Sequence, residues 1–521
     1  MAPANMGLPL APSLRSKPRR VGSSPRGPPG LWLFRIHSQT KDITMSQYDD
    51  SQPAYGTSLT KAEPFATEEI PDGERHGHSR NQFTLWFAAN MVLAVMVSGF
   101  FSSMFGLSVW QGLSAVAVGT LLGVIVMGVL AGIGTKLGVP QQVQGRGPMG
   151  FYANFAPITL LTIVSAIGWT AVNTVFAVIA LRMLVDVPFW LAASLIFAVQ
   201  SVFAIWGHNL VHLVNKIATV VLAILFAVIT VLSMREADFS AAVNVEAPLY
   251  MGSFAGWATF AGFFFAYVMT WTPFASDFSR YLPRKTPHFK VMGYTAAGSF
   301  VAMTWLGGIG VLVSSFAGEL DAIAALAELT GSWAPVAMIT VVISTLPVSA
   351  MNLYGGSLSL LTIRVPVNRV VGVIIIAAVS LWITLLMQTN PYGNFYDFLS
   401  VLAYLVVPFS TILLLDYYLR MRRDLSKAVT ELFDRRRSIE WGFAAWLIGC
   451  VVSSLFWNTS LWTGPLANAF VAWGDLGFVT GALASTAAYL LLYRLPVLPF
   501  MRTAGRDHAA NDPRTEKVEA K

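Results

Sequence analysis

Apolar stretches of roughly 17 to 28 residues recur from Phe83 to Tyr493, separated by polar segments. A helix rises about 1.5 Å per residue, so each stretch is about long enough to cross a hydrocarbon core roughly 30 Å thick. The pattern predicts about twelve membrane helices. They lie at 83–105, 109–134, 157–184, 188–206, 213–234, 254–274, 291–316, 333–361, 370–387, 398–419, 441–457 and 476–493. Lipid offers a backbone no hydrogen-bond partner, so these spans must pair internally as helices, and the fold is all-α and polytopic. The Trp- and Gly-containing stretch 458–475 reads as interfacial.

Charge orders the spans. Of the 521 residues 55% are hydrophobic and only 12% charged, and the charges gather between the spans. One set of alternate loops is basic, with Lys136 and Arg146, Lys216, Arg280 to Lys290, Arg364 and Arg369, and the run 420–437. The other set carries Asp238, Glu246, Glu319, Asp321 and Glu328. Basic loops stay in the cytoplasm. Both termini are therefore expected there, in a multi-pass protein of the plasma (inner) membrane. The net charge of +7 then belongs to loops and tails facing lipid headgroups, and nucleic acid is not an expected partner.

The chain divides into a disordered tail over 1–80, a ten-helix core over 81–420, a basic loop over 421–440, two further helices over 441–494 and a tail over 495–521. Residues 1–44 read as disordered or as lying upstream of a start at Met45, and no signal-peptide core precedes the first span. Cys450 is the one cysteine, so no disulfide forms within the chain.

Polar groups at membrane depth are the candidate chemistry, because lipid gives them no partner. The sixth span runs into Trp271-Thr-Pro273-Phe and then Asp277-Phe-Ser-Arg280. Pro273 lacks an amide hydrogen and collides with the carbonyl four residues back, so the span should break there. Broken spans mark binding sites in transporters. Trp271 beside the break has a flat ring and an indole donor to offer. In the third span Trp169 and Asn173 stand four apart on one helical face. The eighth span carries Ser344, Thr345, Pro347, Ser349 and Asn352, and the first carries Asn90. A carboxamide donates and accepts at once, which suits the edge of a heterocycle, though each such group also suits helix packing. No metal-ligand set, phosphate loop or nucleophile–base–acid set is visible, so no metal, cofactor or enzymatic activity is expected.

Several separated motifs resemble the nucleobase–cation symporter family, in its purine–cytosine permease branch. They are Trp86-Phe-Ala-Ala-Asn90, Gly138-Val-Pro-Gln141 with Arg146-Gly-Pro-Met-Gly150, the segment Trp271 to Pro283, and Asn352-Leu-Tyr354. The resemblance implies inverted five-helix repeats, about 83–234 and 254–419, with broken first and sixth spans and two extra C-terminal helices. It implies that Trp169 and Trp271 sandwich a base while Asn173 and Asn352 bond its edge. Asn at 173, where hydantoin- and allantoin-type relatives tend to have Gln, favours cytosine and purines. A cation would sit between the carbonyls of Ala88 and Met91 and eighth-span hydroxyls. The matching hydroxyl positions fall on Leu346 and Pro347, which lack side-chain oxygens. Ser344, Thr345 or Ser349 could substitute only with a shift in register, so a proton is favoured over sodium as the coupling ion. Asp277 is the candidate proton carrier, and with Arg280 a candidate gate.

The expected function is import of cytosine or purine bases by cation symport with alternating access. The alternatives are the same fold carrying allantoin, a hydantoin, thiamine or a pyridoxine-like compound, a non-transporting membrane sensor, and a membrane-embedded enzyme.

Overall fold

The structure, a computed structural model, describes residues 63–502 apart from 207, 241, 460, 497, 499 and 500, and the backbone alone at His208. Nine helices among the described residues are long and apolar enough to cross a membrane. A tenth crossing forms if the bent pair Asn81–Asn90 and Leu93–Phe105 counts as one span. The two C-terminal helices, Trp441–Ser454 and Gly477–Leu492, are shorter, at 14 and 16 residues. Helix thus falls on every apolar segment of the sequence.

Small residues let the helices cross closely. Helix His288–Ser314 packs along both Val109–Leu137 and Leu93–Phe100. A Cβ built on Gly310 would lie 1.9 Å from the Met96 carbonyl, and one on Gly99 would lie 1.9 Å from that of Gly307. Only hydrogen fits at such a crossing, as is usual where lipid supplies no hydrophobic drive and packing must hold the helices together. Helix Val109–Leu137 starts on a capping box, Ser108 with Gln111, and stops at Gly138 with φ +68°.

The loops are more structured than their composition suggests. Residues 138–150 are buried, with single helical turns at Gln141–Gln144 and Arg146–Met149. Helix Ala322–Thr330, capped by Asp321, precedes the eighth span. Helix Leu425–Phe433 stands in the basic loop. Part of that loop's charge is paired: Arg420 bonds both oxygens of Asp416 and reaches Glu431, which also meets Arg437 at 2.7 Å.

The tail expected to run to residue 80 joins the protein from Glu63 onward. Phe65 and Ile70 are buried, and Arg75 donates to the carbonyls of Ile70 and Thr135 at 3.0 and 2.8 Å. The expectations for residues 1–44 and for the far C-terminal tail lie outside the described residues.

Candidate functional site

Two helix breaks meet near the centre of the bundle. The first helix ends at Asn90, Val92 takes an extended conformation (φ −133°, ψ 147°), and the second half sets off at 56° to the first. In the sixth span the regular helix ends at Met269, four residues before Pro273, where the proline ring would meet a carbonyl. A 3-10 turn, Thr272–Phe274, and then irregular turns follow.

A chain of amides and indoles ties the two breaks together. The Trp271 indole donates to Asn90 Oδ1 at 3.1 Å. Asn90 Nδ2 donates to the Trp86 carbonyl at 2.8 Å and to Ser299 Oγ at 3.4 Å. Trp86 donates to Gln82, and Gln82 to the Phe278 carbonyl, at 3.2 and 3.0 Å. The Trp271 donor expected to meet a ligand is therefore taken, and Trp271 has its ring face left to offer.

Trp169 lies against Tyr267, with ring centres 4.7 Å apart, and against the edges of Phe395 and Phe398. Tyr267 is one turn before Trp271, so the sixth span meets Trp169 first through a tyrosine that the sequence hid in a run of phenylalanines. The ring neighbours of Trp271 are Trp86 and Phe274, and Trp169 and Trp271 make no ring contact with each other. Both are buried at 5% exposure, so neither points into lipid.

The carboxamides stand out more sharply. Asn173 and Asn352 are each 1% exposed, and neither amide atom of either residue has a partner. Their helices, Val164–Arg182 and Ala334–Thr362, pack against each other. Ser165 shares a face with Trp169 and Asn173, and Ser349 one with Asn352; both hydroxyls are also buried and unpartnered. An unsatisfied buried polar group costs about 1–3 kcal/mol, so such a concentration in facing helices is expensive unless something else supplies the bonds.

The candidate cation residues are less convergent. Ser344 and Thr345 donate to the carbonyls of Val341 and Val342 at 2.7 and 2.8 Å, and Thr345 also faces Gln200 at 3.5 Å. The Ala88 carbonyl accepts from the Met91 amide at 3.3 Å. Ser349 alone of the three hydroxyls is uncommitted. The eighth helix runs without a break through Pro347.

Asp277 and Arg280 sit at one end of this assembly in separate networks. Asp277 accepts from the Gln141 amide and from Gln142 Nε2, each at 2.9 Å. It lies past the span that ends at Phe274, and burial pushes its carboxyl up to about 7, against the opposing pull of those hydrogen bonds and of Arg280. Arg280 pairs instead with Glu63 at 2.9 Å and donates to Tyr354 at 3.1 Å. Gln141 stood in the sequence only as part of the Gly138 to Gln141 motif, and Gln142 and Glu63 were not singled out there, because each reads as ordinary loop or tail.

A cavity of about 500 Å³ opens at the other end, lined by Phe101, Tyr392, Tyr396, Asp397, Asn458 and Asp475 among others. Phe101 meets Phe395 and Tyr396, each with ring centres 6.1 Å apart, and Phe395 meets Trp169 at 5.7 Å. Aromatic rings thus run in contact from the cavity wall to Trp169.

The sequence profile of a family described as permeases for cytosine/purines, uracil, thiamine and allantoin matches residues 69–478. The chain is 28% identical over 449 residues to YxlA of Bacillus subtilis (strain 168), named for the purine-cytosine permeases, covering 83% of this chain and 96% of that one. It is 24% identical to the purine-cytosine permease fcyB of Emericella nidulans, covering 82% and 87%. Among solved structures it resembles Mhp1, a nucleobase-cation-symport-1 family transporter in a closed conformation with bromovinylhydantoin bound. The TM-score is 0.66 at 21% identity, over 87% of this chain and all of the other, which shows a shared fold.

Proposed function

The chain belongs to the family of permeases for cytosine/purines, uracil, thiamine and allantoin, and from that premise we propose that it imports cytosine or a related purine base across the plasma membrane by proton symport. Its relatives are permeases rather than enzymes. The observation that carries the substrate reading is the pair of buried carboxamides, Asn173 and Asn352, with no protein partner. A planar base has donors and acceptors around its rim and π-faces above and below. It would satisfy the carboxamides while lying against Trp169 and the face of Trp271. The purine-cytosine permeases among its relatives support the same class.

Alternating access requires that the bundle open at one end at a time. The basic loops lie at the Asp277 end, which makes it the cytoplasmic one. Asp277 gives that end a proton-sensitive bond. Buried and closed, its carboxyl is held at about 7, so a proton stays on it far more readily than on an ordinary carboxylate; hydrated on opening, it would return toward the ordinary range. Opening therefore releases a proton to the cytoplasm. Coupling follows, because proton and conformation each bias the other. Leu346 and Pro347 offer a sodium ion no side-chain oxygen at the two positions where the family resemblance implies cation-binding hydroxyls.

The test is counterflow of labelled cytosine in proteoliposomes of the purified full chain, competed with adenine, hypoxanthine, uracil, allantoin, a hydantoin, thiamine and pyridoxine. Exchange blocked by cytosine and purines at the lowest concentrations supports the reading. Exchange blocked first by allantoin, the hydantoin or a vitamin replaces it with that substrate, and no exchange at all rejects transport of bases.

A further inference from the structure

The end of the bundle that holds Asp277 is covered by a piece of the chain's own tail, and one oxygen anchors it. Glu63 Oε1 accepts from Arg280 at 2.9 Å, from the Tyr354 hydroxyl at 2.9 Å and from the Tyr281 hydroxyl at 2.5 Å. The side chains of Glu63 and Arg280 are both wholly buried. Arg280 further donates to the Ala66 carbonyl at 2.6 Å. The three donors come from two elements. Arg280 and Tyr281 follow the sixth-span break, and Tyr354 stands two residues after Asn352 on the eighth helix.

Beyond the anchor the strap follows its groove closely. The Ile70 amide donates to the Gly138 carbonyl at 2.9 Å, and the His76 amide to the Tyr281 carbonyl at 2.6 Å. Phe65 packs edge-on to Tyr281. Glu69 and Asp72 meet Arg284 at 2.5 and 3.3 Å, and Arg75 meets Glu69 at 3.4 Å. Gly138 sits at φ +68°, a left-handed conformation that favours glycine, and a Cβ there would crowd the Arg75 guanidinium. An acidic stretch of tail is thus complementary in charge to the basic loops it crosses.

We infer that Arg280, Tyr281 and Tyr354 form a carboxylate-binding seat, that Glu63 of the same chain is its ligand, and that the seated strap 63–76 closes the path to the cytoplasm. A buried carboxylate shared by an arginine and two phenols is stable while all members stay together, and strongly penalised once one leaves. The arrangement is therefore two-state. Separation of the sixth-span break from the eighth helix would split the seat and free the strap, and a seated strap opposes that separation. The gating half of this inference rests on the transport reading above; the seat itself does not.

The experiment compares wild-type full chain with Glu63→Gln, Glu63→Asp and Tyr354→Phe. Backbone hydrogen exchange over 63–76 and 276–284 reports seating, and labelled-base uptake and efflux report gating. In Glu63→Gln the Ile70 and His76 amides should exchange about tenfold faster. Efflux should rise, and external half-saturation should increase by about the same factor, because fewer molecules face outward. Tyr354→Phe should move in the same direction, and Glu63→Asp should lie between wild type and Glu63→Gln. Unchanged exchange in Glu63→Gln overturns the seat. Faster exchange with unchanged uptake and efflux overturns the gate. If wild type moves no base, the transport reading fails, and exchange over 276–284 alone decides the seat: acceleration upholds it and constancy overturns it.

Discussion

Asn173 and Asn352 are where this protein departs furthest from what stability alone would select. Each is buried with both amide atoms unpaired, in helices that face each other. Replacing such a group by an apolar one of similar size removes a desolvation penalty of about 1–3 kcal/mol. Asn352→Leu should therefore hold or raise the unfolding temperature of the ligand-free protein, read by thermal unfolding in detergent, while base uptake at equal surface expression falls at least about tenfold. Lower stability together with retained uptake would make Asn352 a packing residue. Asn173 and Trp169 were legible in sequence because four-residue spacing sets them on one face. Tyr267 was not, since nothing in an apolar run says which aromatic ring turns inward. Nor could spacing reveal that Asn90 had already claimed the Trp271 donor, because that bond joins residues 181 positions apart.

The elements show which local rules survive in a membrane. Pro273 announced its break, and the helix ends four residues before it, as the carbonyl clash requires. The first-span break at Met91 and Val92 contains neither proline nor glycine, so no local signal marked it and only family resemblance pointed there. Pro347 is a proline in mid-span as well, yet the eighth helix continues through it. The glycines of the seventh span set how closely that helix approaches the first. Gly310→Ala would drive a methyl against the Met96 carbonyl. Overpacking of this kind costs about 1–3 kcal/mol. Thermal unfolding should show a loss of that size, against an exposed control such as Gly293→Ala, where a Cβ meets nothing within 4 Å. Equal unfolding temperatures for the two variants would mean that the crossing has room to relax.

At the scale of the whole molecule, the two ends of the proposed path are built by different means. Aromatic rings in contact line one end; at the other, Asp277 binds the buried loop and the strap lies across Arg280. The alternation of loop charge predicted the orientation, but not that an acidic tail would be folded onto the basic face. A polar segment gives no periodicity from which to read such a contact. The Asp277 end also carries a pH prediction. Burial raises its carboxyl to about 7, so it takes up a proton as pH falls from 8 to 6 and loses it as pH rises. Uptake should accordingly be faster at external pH 6 than at pH 8, and Asp277→Asn, neutral throughout, should lose that dependence. An unaltered pH profile in Asp277→Asn would move the proton to another group.

The claim on which the rest depends is that a base completes the hydrogen bonding of the two carboxamides. Equilibrium binding of labelled cytosine to purified full-length protein, at fixed pH and salt, tests it directly when repeated on Asn173→Ala, Asn352→Ala and Trp169→Ala. Saturable binding by wild type, weakened about tenfold or more in each variant that keeps its unfolding temperature, is the predicted result. Equal affinity in wild type and all three variants would contradict it.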